Sequence, residues 1–383
     1  MNLQFNDEEK MILGMVRAFM DEEVRPIAKA LDDEKRVPIE QIRALQEQGL
    51  FGLLIPEEYG GANISASCYA AVIEEMSKVC AALAIVLSVH NSVGAYPILL
   101  FGSEEQKKTY LGRLAGDWIG AFCLTETQSG SDAAGLRTKA VLDGDAYLLD
   151  GTKMFVTNGT IADLFLVLAR TSESPEAPHR GVTAFLVEKG TPGFRVSKTE
   201  DKMGLRASDT AEVVFEECRV PVGARLGREG EGFKVAMSAL DNGRIGVASQ
   251  ALGIAEGAFD EAVKYARTRK QFSKAIAEFQ AIQFMIADMD TQIEAARALI
   301  RHAAHLKDSG RPYGKEASMA KLYASTMSRD VCSKALQIHG GYGYVKEYPV
   351  ERYYRDQRIT EIYEGTSEMQ RHVIAKYLLS GRA

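Results

Sequence analysis

The sequence predicts an α+β multidomain fold, with an N-terminal helical domain, a middle β domain and a C-terminal helical bundle. Its 383 residues suffice for two to three domains of the usual ~150 residues. Helix-capping patterns dominate the first third, short apolar runs between turn residues fill the middle, and a helical apolar seam marks the last part. We therefore expect domains at 1–116, 117–229 and 230–383.

The N-terminal domain carries several patterns typical of helix starts. Asn6 or Asp7 can cap the first helix, Pro38 suits the start of another, and Ser103 with Gln106 fits a capping box. These positions predict an all-helical region that extends to about residue 114.

The middle domain changes to short apolar runs separated by Gly, Pro, Asn and Asp. These runs predict strands at 118–123, 163–169 and 182–187. Asp143 and Gly144 lie between two further apolar runs, and Asp-Gly favours the positive φ angles of a tight hairpin turn. The middle domain is therefore expected to be a β-barrel or sandwich.

The C-terminal domain is predicted from an apolar seam with alternating spacings of three and four residues. The seam comprises Phe279, Ile282, Ile286, Met289, Ile293, Ala296 and Ile300. Such spacing places all members on one face of a long helix, which favours packing in a bundle. Breaks near 308–312 and 339–343 indicate four or five helices between about 231 and 379.

Composition excludes several classes of function. With 46 basic and 52 acidic residues the formal charge is −6, which disfavours nucleic acid as a partner. The five cysteines contain no CxxC pair, so neither a disulfide framework nor a thiolate metal site is predicted. No P-loop, dinucleotide-binding glycine motif or GxSxG nucleophile motif occurs. We therefore expect an enzyme that uses none of these motifs and binds no metal.

The start of the chain and its apolar runs bear on cellular location. Residues 1–20 lack the basic and apolar blocks of a secretory signal and the Arg-rich composition of a transit peptide. The apolar run at 81–89 is half the ~18 residues of a membrane span and predicts a buried helix segment. We expect a cytoplasmic protein with no membrane span.

Three segments combine glycine with polar side chains at the ends of predicted elements: 122–132, 153–159 and 362–371. Such loops can place backbone donors and hydroxyl groups against a ligand. The alternative is local structure alone, with turns in the first two segments. In the third, Ser367 and Gln370 would form a capping box behind Gly365.

Together with 201–206, 240–244, 267–272 and 337–343, these segments resemble the acyl-CoA dehydrogenase family over the whole chain. The resemblance implies an N-terminal helical domain, a middle β domain and a C-terminal four-helix bundle, assembled as a homotetramer. It also implies FAD between the β domain and the bundle, an acyl-CoA substrate, and an electron-transfer flavoprotein as electron acceptor.

Glu364 falls where most of the family carries its base, which removes the α-proton while a hydride passes from Cβ to flavin N5. The resemblance implies that the Glu364 amide and a flavin hydroxyl polarise the thioester oxygen. Ligand burial is expected to raise the pKa of Glu364 towards neutrality. One branch of the family has its base near 241–244 instead, with a non-acid after the tyrosine, so Glu364 favours the majority arrangement.

The resemblance implies that the substrate contacts Ser131, Asp241, Arg244, Tyr363 and Gly365. For Asp241 and Arg244 the alternative is an ion pair on a helix surface.

The implied cofactor residues are Phe122, Leu124, Thr125, Ser131, Phe155, Thr157, Arg269, Phe272, Gln337, Gly341, Thr366 and Glu368. Arg269 and Phe272 match a segment that reaches the FAD pyrophosphate of a neighbouring subunit. Glu368 stands where some relatives have Gln, and an ionised Glu can only accept hydrogen bonds.

The resemblance is greatest to the short-chain, butyryl-CoA branch, so we expect a short- to medium-chain substrate. Glutaryl-specific relatives place an arginine near the position of Ala84, so this chain is not expected to take a dicarboxylic acyl group. The alternatives within the resemblance are a branched-chain acyl-CoA dehydrogenase, a desulfinase-type lyase, an oxidase and a DNA-binding relative.

Overall fold

The computed structural model describes residues 5–174 and 176–380. The first residues of the predicted N-terminal domain, 1–4, and the last of the predicted C-terminal domain, 381–383, lie outside the described residues. The N-terminal domain contains α1 (Asp7–Phe19), α2 (Ala28–Glu34), α3 (Ile39–Glu47), α4 (Ala66–Val89), α5 (Tyr96–Phe101) and α6 (Glu104–Ala115). Capping boxes form at Asn6 and Ser103, and Pro38 directly precedes α3. The helical prediction for this domain is confirmed.

Helix α4 is the buried core of the N-terminal domain and is kinked. Cys80 leaves the helical conformation with φ −148° and ψ 91°. Side chains of the C-terminal domain donate to the carbonyls of residues 78, 79 and 81: Tyr353 Oη at 2.5 Å, Arg352 Nη2 at 3.0 Å and Gln250 Nε2 at 2.9 Å. These bonds stabilise the kink, because buried carbonyls without partners are costly.

The middle domain is a mixed sheet of β1 (Gly120–Cys123), β2 (Lys139–Asp143), β3 (Ala146–Thr157), β4 (Leu164–Arg170), β5 (Val182–Glu188), β6 (Phe194–Thr199), β7 (Thr210–Pro221) and β8 (Arg225–Leu226). Its order is β6-β7-β3-β2-β4-β5-β8, and β1 pairs in parallel with β4. The predicted hairpin is confirmed, since β2 and β3 are antiparallel and Gly144 has φ 64°.

The C-terminal domain contains α7 (Gly232–Thr268), α8 (Gln280–Asp308), α9 (Gly314–His339), α10 (Val350–Gln357) and α11 (Ser367–Leu379). These five α-helices of the described chain match the predicted four or five. Along the seam of α8, Met289, Ile293, Ala296 and Ile300 are buried, whereas the earlier members are half-buried. A short hairpin of β9 (Lys270–Gln271) and β10 (Lys274–Ala275) between α7 and α8 was not predicted.

The described helices were also compared with the requirements of a membrane span. Within residues 5–174 and 176–380, none has both the length and the apolar character to cross a bilayer.

Candidate active site

Glu364 lies in the loop between α10 and α11, in an unusual backbone conformation. Its φ is 51° and that of the following Gly365 is 94°, so two consecutive residues are in the left-handed region. A non-glycine residue adopts this region only when the surrounding structure holds it there. The loop must therefore be fixed by contacts outside itself.

Two buried side chains hold the carbonyl groups of this loop. Lys321 Nζ of α9 donates to the Gly365 carbonyl at 2.7 Å. Gln370 Nε2 of α11 donates to the same oxygen at 2.8 Å and to the Glu364 carbonyl at 3.3 Å. In the described chain the amide N–H of Glu364 has no hydrogen-bond acceptor, so it is available to a ligand.

The predicted capping box at Ser367 and Gln370 is wrong. Thr366 is the N-cap of α11, and its hydroxyl accepts from the Met369 amide at 3.3 Å. The Gln370 side chain cannot close a box on Ser367 because its amide is engaged with the Glu364 loop. The segment is thus more than a helix start.

The Glu364 carboxylate is packed against α7 at Gly243. A Cβ added to Gly243 would overlap Oε2 of Glu364, so a side chain at residue 243 would displace the carboxylate. Oε2 is buried and has no hydrogen-bond partner in the described chain. Burial raises the pKa of Glu364 to about 7, against the opposing positive charges of Lys321 and Arg244. The pKa of Glu364 is therefore raised by the protein alone, without a bound ligand.

Asp241 and Arg244 form an ion pair on α7. An ion pair was the predicted alternative to substrate contact for these residues, but the Arg244 side chain is buried and not on the helix surface. Arg244 is 7% exposed, and it also donates to Ser318 Oγ at 3.4 Å. Its Nε is buried without a partner in the described chain. Burial raises the pKa of Asp241, and the charge of Arg244 opposes that rise. The Arg244 end of the pair is close enough to Glu364 for its charge to act on that carboxyl.

Tyr363 connects the loop to the kink of α4. Its hydroxyl donates to Gln250 Oε1, and Gln250 Nε2 donates to the carbonyl of Ala81. Sequence reasoning assigned no site role to Gln250 or Lys321, which meet the loop from distant parts of the chain. Gln370 and Gly243 lie within the segments 362–371 and 240–244, but their contacts with Glu364 and its loop were not predicted.

A second group of predicted residues lies on the β domain. The Met154 amide donates to the Thr125 carbonyl at 2.8 Å, which joins the end of β1 to β3. The register of β3 shifts between residues 153 and 156, where Phe155 has φ 57° and is 61% exposed. Thr157 is half-buried two residues further on. The bulge therefore exposes an aromatic side chain, as bulges near binding sites do.

A buried ion pair supports this second group. Lys153 is fully buried, and its Nζ donates to Glu126 Oε1 at 2.7 Å and to the Leu124 carbonyl at 3.2 Å. Glu126 also accepts from the amides of Arg137 and Thr138, at 2.6 and 2.9 Å. Burial favours the neutral acid, but Lys153 and these donors outweigh it and hold the pKa of Glu126 below its usual value.

A third group lies at the end of α7 and after α9. Arg269 and Gly341 line a cavity of about 580 Å³ together with Tyr265 and Tyr342. Phe272 is at the tip of the β9–β10 hairpin, with φ 52° and 89% of its surface exposed. In the part of the chain that the structure describes, no hydrogen bond joins Arg269, Phe272 or Gly341 to the first two groups.

The remaining predicted residues differ in exposure. Phe122 is half-buried and Leu124 buried, whereas Ser131, Gln337 and Glu368 are exposed. The pKa of Glu368 is lowered by the amide at the start of α11, with a smaller contribution from Arg371. It is therefore an ionised acceptor.

Comparison with family models matches nearly the whole chain. The models described as acyl-CoA dehydrogenase N-terminal, middle and C-terminal domains match residues 6–117, 121–218 and 230–379. The chain belongs to the acyl-CoA dehydrogenase family. The three matched segments follow the same order as the helical, β and helical parts of the described fold.

Individual acyl-CoA dehydrogenases support the same assignment. The short-chain specific acyl-CoA dehydrogenase of Clostridium acetobutylicum is 48% identical, over 98% of this chain and 99% of its own. The butyryl-CoA dehydrogenase structure from Megasphaera elsdenii superposes with a TM-score of 0.97 at 44% identity, over 99% and 100% of the two chains. A chain from work on the electron transferring flavoprotein of Acidaminococcus fermentans superposes with a TM-score of 0.96 at 48% sequence identity. The match covers 99% of this chain and 100% of that chain.

Acyl-CoA dehydrogenases are FAD-dependent oxidoreductases. The residues present suit that cofactor. On the β domain, the Phe155 ring is 61% exposed at the bulge next to Met154, whose amide binds the Thr125 carbonyl, and an exposed ring there suits stacking with an aromatic ring. In the third group, the guanidinium of Arg269 lines a cavity and suits a pyrophosphate.

Proposed function

We propose that this chain catalyses the FAD-dependent α,β-dehydrogenation of a short-chain acyl-CoA to the trans-2-enoyl-CoA, with Glu364 as the base. One observation carries the proposal: the Oε2 atom of Glu364 is buried, has no partner in the described chain, and belongs to a carboxyl whose pKa burial raises to about 7. A base with that pKa is efficient near neutral pH.

The residues around Glu364 supply the other requirements of the reaction. The Glu364 N–H, free of acceptors in the described chain, is a donor for the thioester oxygen. Such a donor stabilises the negative charge that develops when the α-proton leaves. Asp241, Arg244, Tyr363 and Gly365 are assigned to contacts with the substrate, and Ser131 is assigned to its more exposed part. Bound FAD supplies the hydride acceptor for Cβ.

The cofactor residues remain those that the sequence predicted. Phe122, Leu124, Thr125, Phe155 and Thr157 are assigned to the flavin ring. Ser131, Arg269, Phe272, Gln337, Gly341, Thr366 and Glu368 are assigned to the phosphates, ribose and adenine. Arg269 and Phe272 match a segment that in the family reaches the FAD pyrophosphate of a neighbouring subunit, and Phe272 is 89% exposed in one copy of this chain. We therefore propose that a neighbouring subunit of a homotetramer completes the FAD site.

A short, uncharged acyl chain is the proposed substrate. The relatives whose names specify short-chain or butyryl-CoA substrates are 48% and 44% identical to this chain. Residues 84–93, which resemble the floor of the acyl pocket, are buried, and Ala84 has no exposed surface. A distal carboxylate would have no charged partner within that run. A branched short chain is the alternative.

An electron-transfer flavoprotein is the proposed electron acceptor, in keeping with the Acidaminococcus fermentans study in which a similar chain appears. A cytoplasmic location remains a prediction from residues 1–20.

The test is anaerobic titration of the purified flavoprotein with butyryl-, octanoyl-, isobutyryl- and glutaryl-CoA, followed by flavin absorbance. Butyryl-CoA should bleach the wild type and leave Glu364→Gln yellow. The exposed Glu105 of α6 provides a matched control, because Glu105→Gln removes a carboxylate far from the proposed site. Bleaching of Glu364→Gln at the wild-type rate would place the base elsewhere, and no bleaching of the wild type by any acyl-CoA would contradict the dehydrogenase proposal.

A further inference from the structure

We propose that Lys321 is a positioning residue of the reaction, which fixes the loop that carries Glu364 and favours the ionised form of that carboxyl through its charge. The inference rests on the proposed role of Glu364 as the base. It concerns a residue outside the motifs of the sequence analysis, on the central helix α9.

The position of Lys321 is the first argument. The residue has no exposed surface, although lysine is rarely buried without a carboxylate bound to it. Its ammonium has three donors, and in the described chain the Gly365 carbonyl is its hydrogen-bond acceptor, at 2.7 Å. A buried cation is thus placed on the residue next to the base.

The conformation of the loop is the second argument. Glu364 and Gly365 are both left-handed, and the hydrogen bonds from Lys321 and Gln370 end on their two carbonyls. Holding these carbonyls orients the peptide planes between them. The direction of the Glu364 side chain therefore depends on both donors.

Electrostatics is the third argument. The charged groups facing Lys321 are Glu364, Arg244, Glu361 and Glu368, and those facing Glu364 are Lys321 and Arg244. Burial lowers the pKa of Lys321 to about 8, and the carboxylate of Glu364 opposes that change. At pH 7 and below, Lys321 is therefore mostly protonated while Glu364 begins to ionise.

The test separates the charge of Lys321 from its hydrogen bond. Lys321→Met removes both, whereas Lys321→Gln keeps a donor for the Gly365 carbonyl and removes the charge. The control is Lys334→Met, because Lys334 is on the same helix but pairs with Asp330 at 3.0 Å. FAD content and melting temperature of each holoenzyme show that it is folded. The pH dependence of flavin reduction by butyryl-CoA is then measured.

Removing the charge should raise the pKa of Glu364 further, so the acid limb of the rate profile should move to higher pH. We expect a movement of about 1 pH unit in both variants and, from the smaller ionised fraction, about fivefold slower reduction at pH 7. Lys321→Met should also lower the plateau rate, because the loop loses a donor. Lys334→Met should match the wild type.

An acid limb that stays at the wild-type pH in folded Lys321→Met and Lys321→Gln would overturn the proposal and leave Lys321 a purely structural residue. If Lys321→Met does not fold, the position of the acid limb in Lys321→Gln alone decides between the two outcomes. Infrared difference spectra of the Glu364 carboxyl, assigned with Glu364→Gln, measure the same pKa without turnover. They test Lys321 even if the wild type is reduced by no acyl-CoA, the outcome that would contradict the proposed function.

Discussion

Two buried lysines of this chain each lie near a carboxylate, but only one of them is hydrogen-bonded to it. Lys153 in the β domain bonds directly to Glu126, whose oxygens also accept from Arg137 and Thr138. Lys321 in the bundle bonds to a backbone carbonyl, and the Oε2 of nearby Glu364 has no partner in the described chain. The first carboxylate is held ionised, whereas burial raises the pKa of the second to about 7.

The difference separates a structural carboxylate from a reactive one. A carboxylate that already accepts several hydrogen bonds is a poor base, because taking a proton would break them. A buried carboxylate with a free oxygen carries an energetic cost that a proton relieves. Hydrogen-bond satisfaction therefore distinguishes Glu126 from Glu364 although both have a lysine beside them.

The largest effect is expected from breaking the satisfied pair. Lys153→Met should lower the free energy of unfolding by about 3–5 kcal/mol, because it leaves the charge of Glu126 buried and uncompensated. Denaturant unfolding of the holoenzyme measures this, and FAD should dissociate at lower denaturant concentration. The double variant with Glu126→Leu should recover part of the loss; a double variant less stable than the single one would contradict this account.

A smaller effect is expected from moving the unsatisfied carboxylate. Gly243→Ala places a methyl group where Glu364 Oε2 lies, so it should slow flavin reduction by butyryl-CoA about 100-fold, the cost typical of a ~1 Å displacement. Gly14→Ala on α1 is the control, because its added methyl group meets no atom within 4 Å. Equal rates in the two variants would show that the carboxylate is not confined at Gly243.

The smallest effect concerns pH and stability. Because burial raises the folded-state pKa of Glu364 from 4.5 to about 7, its contribution to stability is present below pH 4.5 and is lost as pH rises through 7. Glu364→Gln removes the ionisation, so its melting temperature should exceed that of the wild type at pH 8, by a margin that narrows at pH 5. A margin independent of pH would mean that Glu364 ionises normally in the folded protein.

Sequence patterns predicted the parts of the structure that depend on neighbouring residues. The helix cap at Asn6, the capping box at Ser103 and the hairpin at Gly144 each involve residues close together in the chain. The family resemblance pointed to Glu364. It gave no role to Lys321, or to Lys153 at the start of the 153–159 segment, since a lysine within a helix or strand pattern usually faces water. Their burial depends on partners 44 and 27 positions away.

The kink of α4 at Cys80 has a consequence for how the chain unfolds locally. Its carbonyls at residues 78, 79 and 81 are held by side chains of α7 and α10, so this half of α4 cannot loosen without breaking contacts of the bundle. Amide hydrogens of α4 and α7 should therefore exchange with deuterated solvent together, as one cooperative unit. In folding terms, the N-terminal core and the bundle share a boundary that the order of domains in the sequence does not show.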